Sequence, residues 1–213
     1  MTRPLIVGLG GTARDGSQTE VALGVALRAT TRYGADVVSF AGEQLILPIY
    51  AHGSEPVPAA QKLIAALRRC DGVIISTPSY HGGVSGMIKN ALDYIEALRD
   101  DARPYLHGRA VGAMVCAGGW QSVGTTLTEM RTIVHALRGW PTLMGIGINT
   151  QHSVFDRSGE CAEETIRSQI EVMSRQVVEF AQMQMWAQST CRPERIDKSR
   201  AIPVDFGRAI TAN

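Results

Sequence analysis

Five short apolar runs alternate with longer stretches of helical period along this chain. The runs are Leu5–Leu9, Ala35–Phe40, Gly72–Ser76, Ala110–Cys116 and Thr142–Ile148. The first, third and fourth are nearly unbroken by polar residues, which predicts parallel strands covered on both faces. Helices are predicted from Ser17 to about Tyr33, Pro58 to Cys70, Ser85 to Leu98, Val123 to Leu137 and Glu163 to about Ala187. The first opens on Ser17-x-x-Glu20, a capping box. The second puts proline in its first turn and Leu63, Ile64 and Leu67 on one stripe. Strand and helix alternating in this way predict a doubly wound α/β sandwich, with helices on both faces of a five-stranded parallel sheet.

The chain has 213 residues, enough for one domain with a full core, expected over residues 1–188. From Ser189 the pattern is lost, and residues 189–213 read as a C-terminal arm, extended or disordered. Residues 41–57 and 150–161 form loops long enough to be functional or mobile. A net charge of +1 and the lack of a basic run argue against nucleic-acid binding. The same balance argues against a strongly acidic electron carrier. The apolar run near the N-terminus is too short for a signal peptide, and no run approaches the ~20 residues that span a bilayer. The expectation is a cytoplasmic protein without membrane contact. Cys70, Cys116, Cys161 and Cys191 are widely spaced and form no C-x-x-C pair, which predicts reduced, mostly buried thiols. His52, His107, His135 and His152 show no ligand spacing, so no metal is expected.

Chemistry concentrates in the loops after the strands. Gly10-Gly11-Thr12-Ala13-Arg14-Asp15-Gly16-Ser17-Gln18-Thr19 joins the first strand to the first helix. Backbone N–H groups, three hydroxyls, one guanidinium and a helix N-terminus together make an anion site. The Gly-Lys-Ser/Thr ending of a nucleotide-hydrolysing loop is missing, so a permanently held monophosphate suits it. With strands in the order 2-1-3-4-5, the ligand crevice falls between the first and third strands, beyond their C-terminal ends. The loop after the third strand runs Thr77-Pro78-Ser79-Tyr80-His81-Gly82-Gly83, and the loop after the fourth runs Ala117-Gly118-Gly119-Trp120-Gln121. Glycines there let main chain approach a flat ligand and read its polar edge. A planar heterocycle with a phosphate tail, such as flavin mononucleotide (FMN), fits both features.

Arg14, Ser17 and Thr19, with Pro78-Ser79-Tyr80 and the run Gly86-Met87-Ile88-Lys89-Asn90-Ala91-Leu92-Asp93, resemble the NADPH-dependent FMN reductase family. The resemblance covers roughly Leu5 to Ile148. It implies a flavodoxin-like three-layer sandwich and an NAD(P)H-dependent flavin, quinone, azo-dye or chromate reductase. Thr12, Arg14, Ser17, Gln18 and Thr19 are then expected to hold the FMN phosphate. Pro78, Ser79, Tyr80, His81 and Gly82 are expected to border the ring, and Gly118 and Gly119 to close its other edge. Thr12 replaces a serine common in the family, and His81-Gly82 stands where asparagine is often found.

In this reading NADPH or NADH delivers hydride to FMN, and a small-molecule acceptor then takes the electrons. No side chain is assigned as catalytic, because the cofactor carries the chemistry. Loosely held flavin would itself leave as product and supply a partner monooxygenase. A homodimer or homotetramer is expected, and the apolar positions Met87, Ile88, Ala91, Leu92 and Ile95 could serve its interface. Two alternatives stand beside this reading. Gly8-Leu9-Gly10-Gly11-Thr12-Ala13 matches the dinucleotide fingerprint of a Rossmann-type dehydrogenase. Its helix start and ribose-binding acid do not follow on schedule: the loop runs on to Ser17, and Glu43 arrives late. A non-enzymatic flavodoxin-like carrier or redox module is the other alternative.

Overall fold

The first, third and fourth apolar runs fold as strands buried on both faces, where the backbone can be satisfied only through neighbouring strands. The second forms an exposed edge strand. The computed structural model describes residues 2–156 and 158–190. Its strands are β1 Leu5–Gly10, β2 Asp36–Phe40, β3 Gly72–Tyr80, β4 Gly83–Val84, β5 Ala110–Ala117, β6 Trp140–Pro141 and β7 Ile146–Asn149. Its α-helices are α1 Gln18–Arg32, α2 Pro58–Arg69, α3 Gly86–Asp93, α4 Trp120–Ala136 and α5 Glu164–Thr190. Short 3-10 helices occupy Gly42–Leu45 and Tyr94–Leu98. The sheet separates two apolar cores. One packs α1 and α5 against Ile6, Ile74 and Met114; the other packs α2 and α3 against Val7, Val73 and Ile75.

The sheet is doubly wound and mainly parallel, as expected, but it has seven strands and not five. Its main path is β2-β1-β3-β5-β6, with β4 paired to β3 and β7 to β5. Two local events explain the difference. First, β3 runs beyond the buried sheet to Tyr80 and doubles back, pairing Ser79 with Val84 and Tyr80 with Gly83. Second, the expected fifth strand is broken. Ala110 and Val111 pair with Trp140 and Pro141, and pairing resumes only at Met114 with Ile146. Side chains take up the displaced backbone: Arg131 donates to the carbonyls of Thr142 and Leu143, at 3.1 and 3.0 Å, and Gln176 accepts the Met144 N–H. These bonds replace ladder partners for the Thr142 and Leu143 carbonyls and the Met144 N–H.

Helix boundaries moved for equally local reasons. Ser17 caps α1, its hydroxyl accepting the Glu20 N–H at 3.2 Å, while the Glu20 carboxylate reaches back to the Gly16 N–H at 2.8 Å. The capping box is therefore formed with its return bond one residue early. Helix α4 starts at Trp120, three residues before the expected Val123, so Gly119 is its cap and not mid-loop. Ile88, Ala91, Leu92 and Ile95, candidates for a subunit interface, are buried in the chain's own core. Helix α5 continues to Thr190, past the expected domain end, and residues 191–213 of the anticipated arm lie outside the described residues. Cys70, Cys116 and Cys161 are free and buried. Among the described residues no helix is long and apolar enough to cross a membrane.

Candidate active site

The loop after β1 is folded mainly by its own side chains. The Gly11 N–H extends the sheet by donating to the Ser76 carbonyl at 2.8 Å. A Cβ on Gly11 would stand 2.5 Å from Ile88 and 2.8 Å from the Ser85 hydroxyl, so this position needs glycine for packing. Gly8 and Gly10 face Leu27 and Ala41 equally closely, at 2.8 Å each. The glycines of the dinucleotide-like motif thus admit the chain's own side chains and not a pyrophosphate. The Thr12 hydroxyl accepts the Arg14 N–H at 3.0 Å, turning the loop back, and Gly16 completes the turn at φ +66°. The first N–H groups of α1, on Gln18 and Thr19, have no acceptor within the helix.

These groups open on a cavity of about 600 Å³ at the C-terminal edge of the sheet. It is lined by Arg14, Gly16, Ser17, Gln18, Thr19 and Val21 from the first loop and α1, and by Pro78, Ser79 and Tyr80 from β3. Cys116, Ala117 and Gly118 lie at the end of β5, and Thr150, Ser153, Phe155 and Asp156 on the loop after β7. Eight of the twelve residues singled out from sequence therefore share one cavity: Arg14, Ser17, Gln18, Thr19, Pro78, Ser79, Tyr80 and Gly118. Thr12 is outside the lining, and Gly119 caps α4. His81 and Gly82 form the hairpin tip beyond it, at φ +55° and +83°.

The eight newly identified lining residues fall into two groups. Gly16, Val21, Cys116 and Ala117 sit beside predicted positions, at strand or helix ends where α/β sheets place ligands. Thr150, Ser153, Phe155 and Asp156 belong to a loop whose length alone signalled function. That loop is tied down at a distance: Arg28 of α1 donates to the Gly159 carbonyl at 2.7 Å and pairs with Glu160 at 3.0 Å. Phe155 bridges to Cys161.

The cavity carries one charge of each sign. Arg14 and Asp156 are its charged lining residues, and among the described residues neither forms a salt bridge. One oxygen of Asp156 accepts the Ser158 N–H at 2.8 Å, the Ser158 hydroxyl at 2.6 Å and the Glu160 N–H at 3.1 Å. These bonds, the Ser158 hydroxyl first, hold its carboxyl below the usual range. The Gln18 side-chain oxygen is buried without a partner. Burial pushes the Cys116 thiol up to about 11, against a hydrogen bond to Thr19 that lowers it, so the cavity floor is neutral. Among the described residues no cluster of His, Cys, Asp or Glu is placed to hold a metal ion. The cavity thus offers a cationic end, unpaired hydrogen-bonding groups and room against Gly118, where nothing lies within 4 Å of a would-be Cβ.

The chain is 29% identical over 125 residues to an NADPH azoreductase of Bacillus sp. strain OY1-2, covering 59% of this chain and 65% of that protein. It is 34% identical over 96 residues to an FMN-dependent NADPH-azoreductase of Staphylococcus haemolyticus, covering 45% and 42% respectively. The matches thus span less than two thirds of these relatives. Among solved structures, a flavoenzyme NAD(P)H:(acceptor) oxidoreductase from Paracoccus denitrificans superposes with a TM-score of 0.71 at 15% identity. That match covers 85% of this chain and 98% of the other. A flavodoxin, WrbA-like protein from Agrobacterium tumefaciens superposes with a TM-score of 0.60 at 14% identity, over 85% of this chain and 99% of its own, which establishes the flavodoxin-like fold. The sequence profile described as NADPH-dependent FMN reductase matches residues 4–152, running from the first strand through the last strand of the cavity; the chain belongs to that family.

Proposed function

We propose that this chain is an NAD(P)H-dependent FMN reductase that passes electrons to a small-molecule acceptor, with azo compounds the first class to test. The observation that carries the reading is the shared cavity. There a guanidinium without a salt bridge among the described residues, just before a helix N-terminus, meets the C-terminal ends of β3 and β5. The azoreductase names of two relatives support the acceptor class.

The residues present fit FMN. Arg14, the hydroxyls of Ser17 and Thr19, and the N–H groups of Gln18 and Thr19 would hold its phosphate, with Thr12 shaping the loop behind them. The buried Gln18 oxygen lacks a donor, and the ribityl hydroxyls would supply one. Asp156, held ionised, would accept from the same chain of hydroxyls. Pro78, Ser79, Tyr80 and the main chain of His81 and Gly82 would border the ring, with Gly118 and Gly119 on its other edge. When bound, FMN supplies a two-electron centre able to accept hydride from NAD(P)H and reduce a second molecule. The protein's part is to orient the ring, keep one face open and exclude water from the phosphate end. No side chain of the cavity is required to move a proton in hydride transfer.

The test is an absorbance spectrum of the protein with FMN, followed by anaerobic addition of NADPH, then NADH. A flavin band that bleaches and returns on adding an azo dye is expected. A protein that binds no FMN, or whose bound flavin stays oxidised with both nucleotides, would overturn the reading.

A further inference from the structure

Glu129 lies on α4, outside the cavity lining, yet it grips the cavity's ring-side wall. That wall is the β3–β4 hairpin, which is two residue pairs long. A hairpin of this size does not hold itself in water. Its turn, His81-Gly82, has both residues in the left-handed region, which suits a two-residue hairpin but strains a residue with a Cβ such as His81. Something outside the hairpin must therefore fix it.

Helix α4 does so along one face. The Ser79 hydroxyl meets the Thr126 hydroxyl at 2.7 Å and donates to the Ser122 carbonyl at 3.3 Å. The Glu129 carboxylate accepts the Val84 N–H at 2.8 Å. The fit is close: a Cβ on Gly83 would stand 3.2 Å from the same Glu129 oxygen. Ser79 and Tyr80 of the same hairpin also line the cavity.

We propose that Glu129 is a positioning residue: by accepting the Val84 N–H it fixes the hairpin that carries Tyr80, and so sets the ring-side wall of the flavin cavity. The inference rests on the flavin reading above and adds to it a residue remote from the ligand. Glu129 acts as a hydrogen-bond acceptor, so glutamine can replace it and alanine cannot.

The test compares Glu129→Ala and Glu129→Gln with the unaltered chain, using FMN and lumiflavin, the ring without its ribityl phosphate. Loss of one exposed hydrogen bond should weaken both ligands by about fivefold in the alanine variant. The glutamine variant should bind both normally, and Arg14→Ala should weaken FMN alone. Amide hydrogen exchange without ligand should be faster at Val84 in the alanine variant only. Normal affinity or unchanged Val84 exchange in the alanine variant would sink the proposal, as would a glutamine variant as weak as alanine. If the unaltered chain binds neither flavin, the functional reading fails, and the exchange experiment still decides whether Glu129 clamps the hairpin.

Discussion

Two arginines at opposite ends of the sheet show how the same side chain serves structure in one place and leaves chemistry open in another. Arg109, just before β5, is 1% exposed. Its guanidinium donates to the carbonyls of Cys70 at 3.0 Å, Tyr105 at 3.0 Å, His107 at 3.4 Å and Arg68 at 2.9 Å. It ties the C-terminal end of α2 to the start of β5, and burial lowers its pKa. Arg14 is exposed, forms no salt bridge among the described residues and faces a cavity. The Arg109 donors are satisfied by buried carbonyls and stabilise the fold, whereas those of Arg14 face open space and are free to meet the phosphate proposed above. The difference separates a structural arginine from a candidate binding one more sharply than charge alone.

The largest effect should come from breaking the satisfied end. Arg109→Met leaves four carbonyls without their donor and should lower unfolding free energy by roughly 3–5 kcal/mol, read from urea titration. Arg109→Lys should recover only part, because one ammonium cannot reproduce the planar fork. Breaking the open end should act on binding. Arg14→Ala should weaken FMN by ~1–3 kcal/mol in fluorescence titration and leave the melting temperature of the ligand-free protein unchanged. A destabilised Arg14→Ala protein, or one with unaltered FMN affinity, would erase the contrast.

At neutral pH the smallest effect belongs to the buried thiols, one near each end. Burial raises both Cys70 and Cys116 from 9.0 to about 11. The unfolded chain releases these protons near pH 9, whereas the native protein keeps them to about pH 11. Stability should therefore be intact below pH 9 and fall as pH rises through that window. Tyr33 and Tyr50, also raised, act in the same direction. Urea midpoints from about pH 8 to about pH 11 measure the slope, and Cys116→Ser should flatten it by about one proton. An unchanged slope in that variant would mean that the cavity floor is wet.

The place of Arg14 at the cavity was legible in the sequence because its neighbours are local. The turn, the capping serine and the helix start lie within a few residues, and each reports its conformation through residue type. The place of Arg109 was not legible, since its acceptors are main-chain carbonyls whose position depends on how α2 meets β5. The loop carrying Phe155 and Asp156 was legible only as long, because its clamp to Arg28 spans 131 residues of sequence. The fifth strand misled for a related reason: Thr142–Ile148 is apolar enough for one strand, but Arg131 and Gln176 stabilise a break within it.

Local pattern alone therefore determined the alternation of strand and helix and the capped loop after the first strand, while the motifs of the loops resemble the family to which the chain belongs. Apolar periodicity and capping chemistry act within one or two turns of chain, so they can be read without a partner. Folding decided which loops share a cavity, which arginine is saturated and how α4 grips the hairpin. Those outcomes rest on contacts such as Ser79 with Thr126, 47 residues apart, which only the docking of whole elements brings within hydrogen-bonding distance.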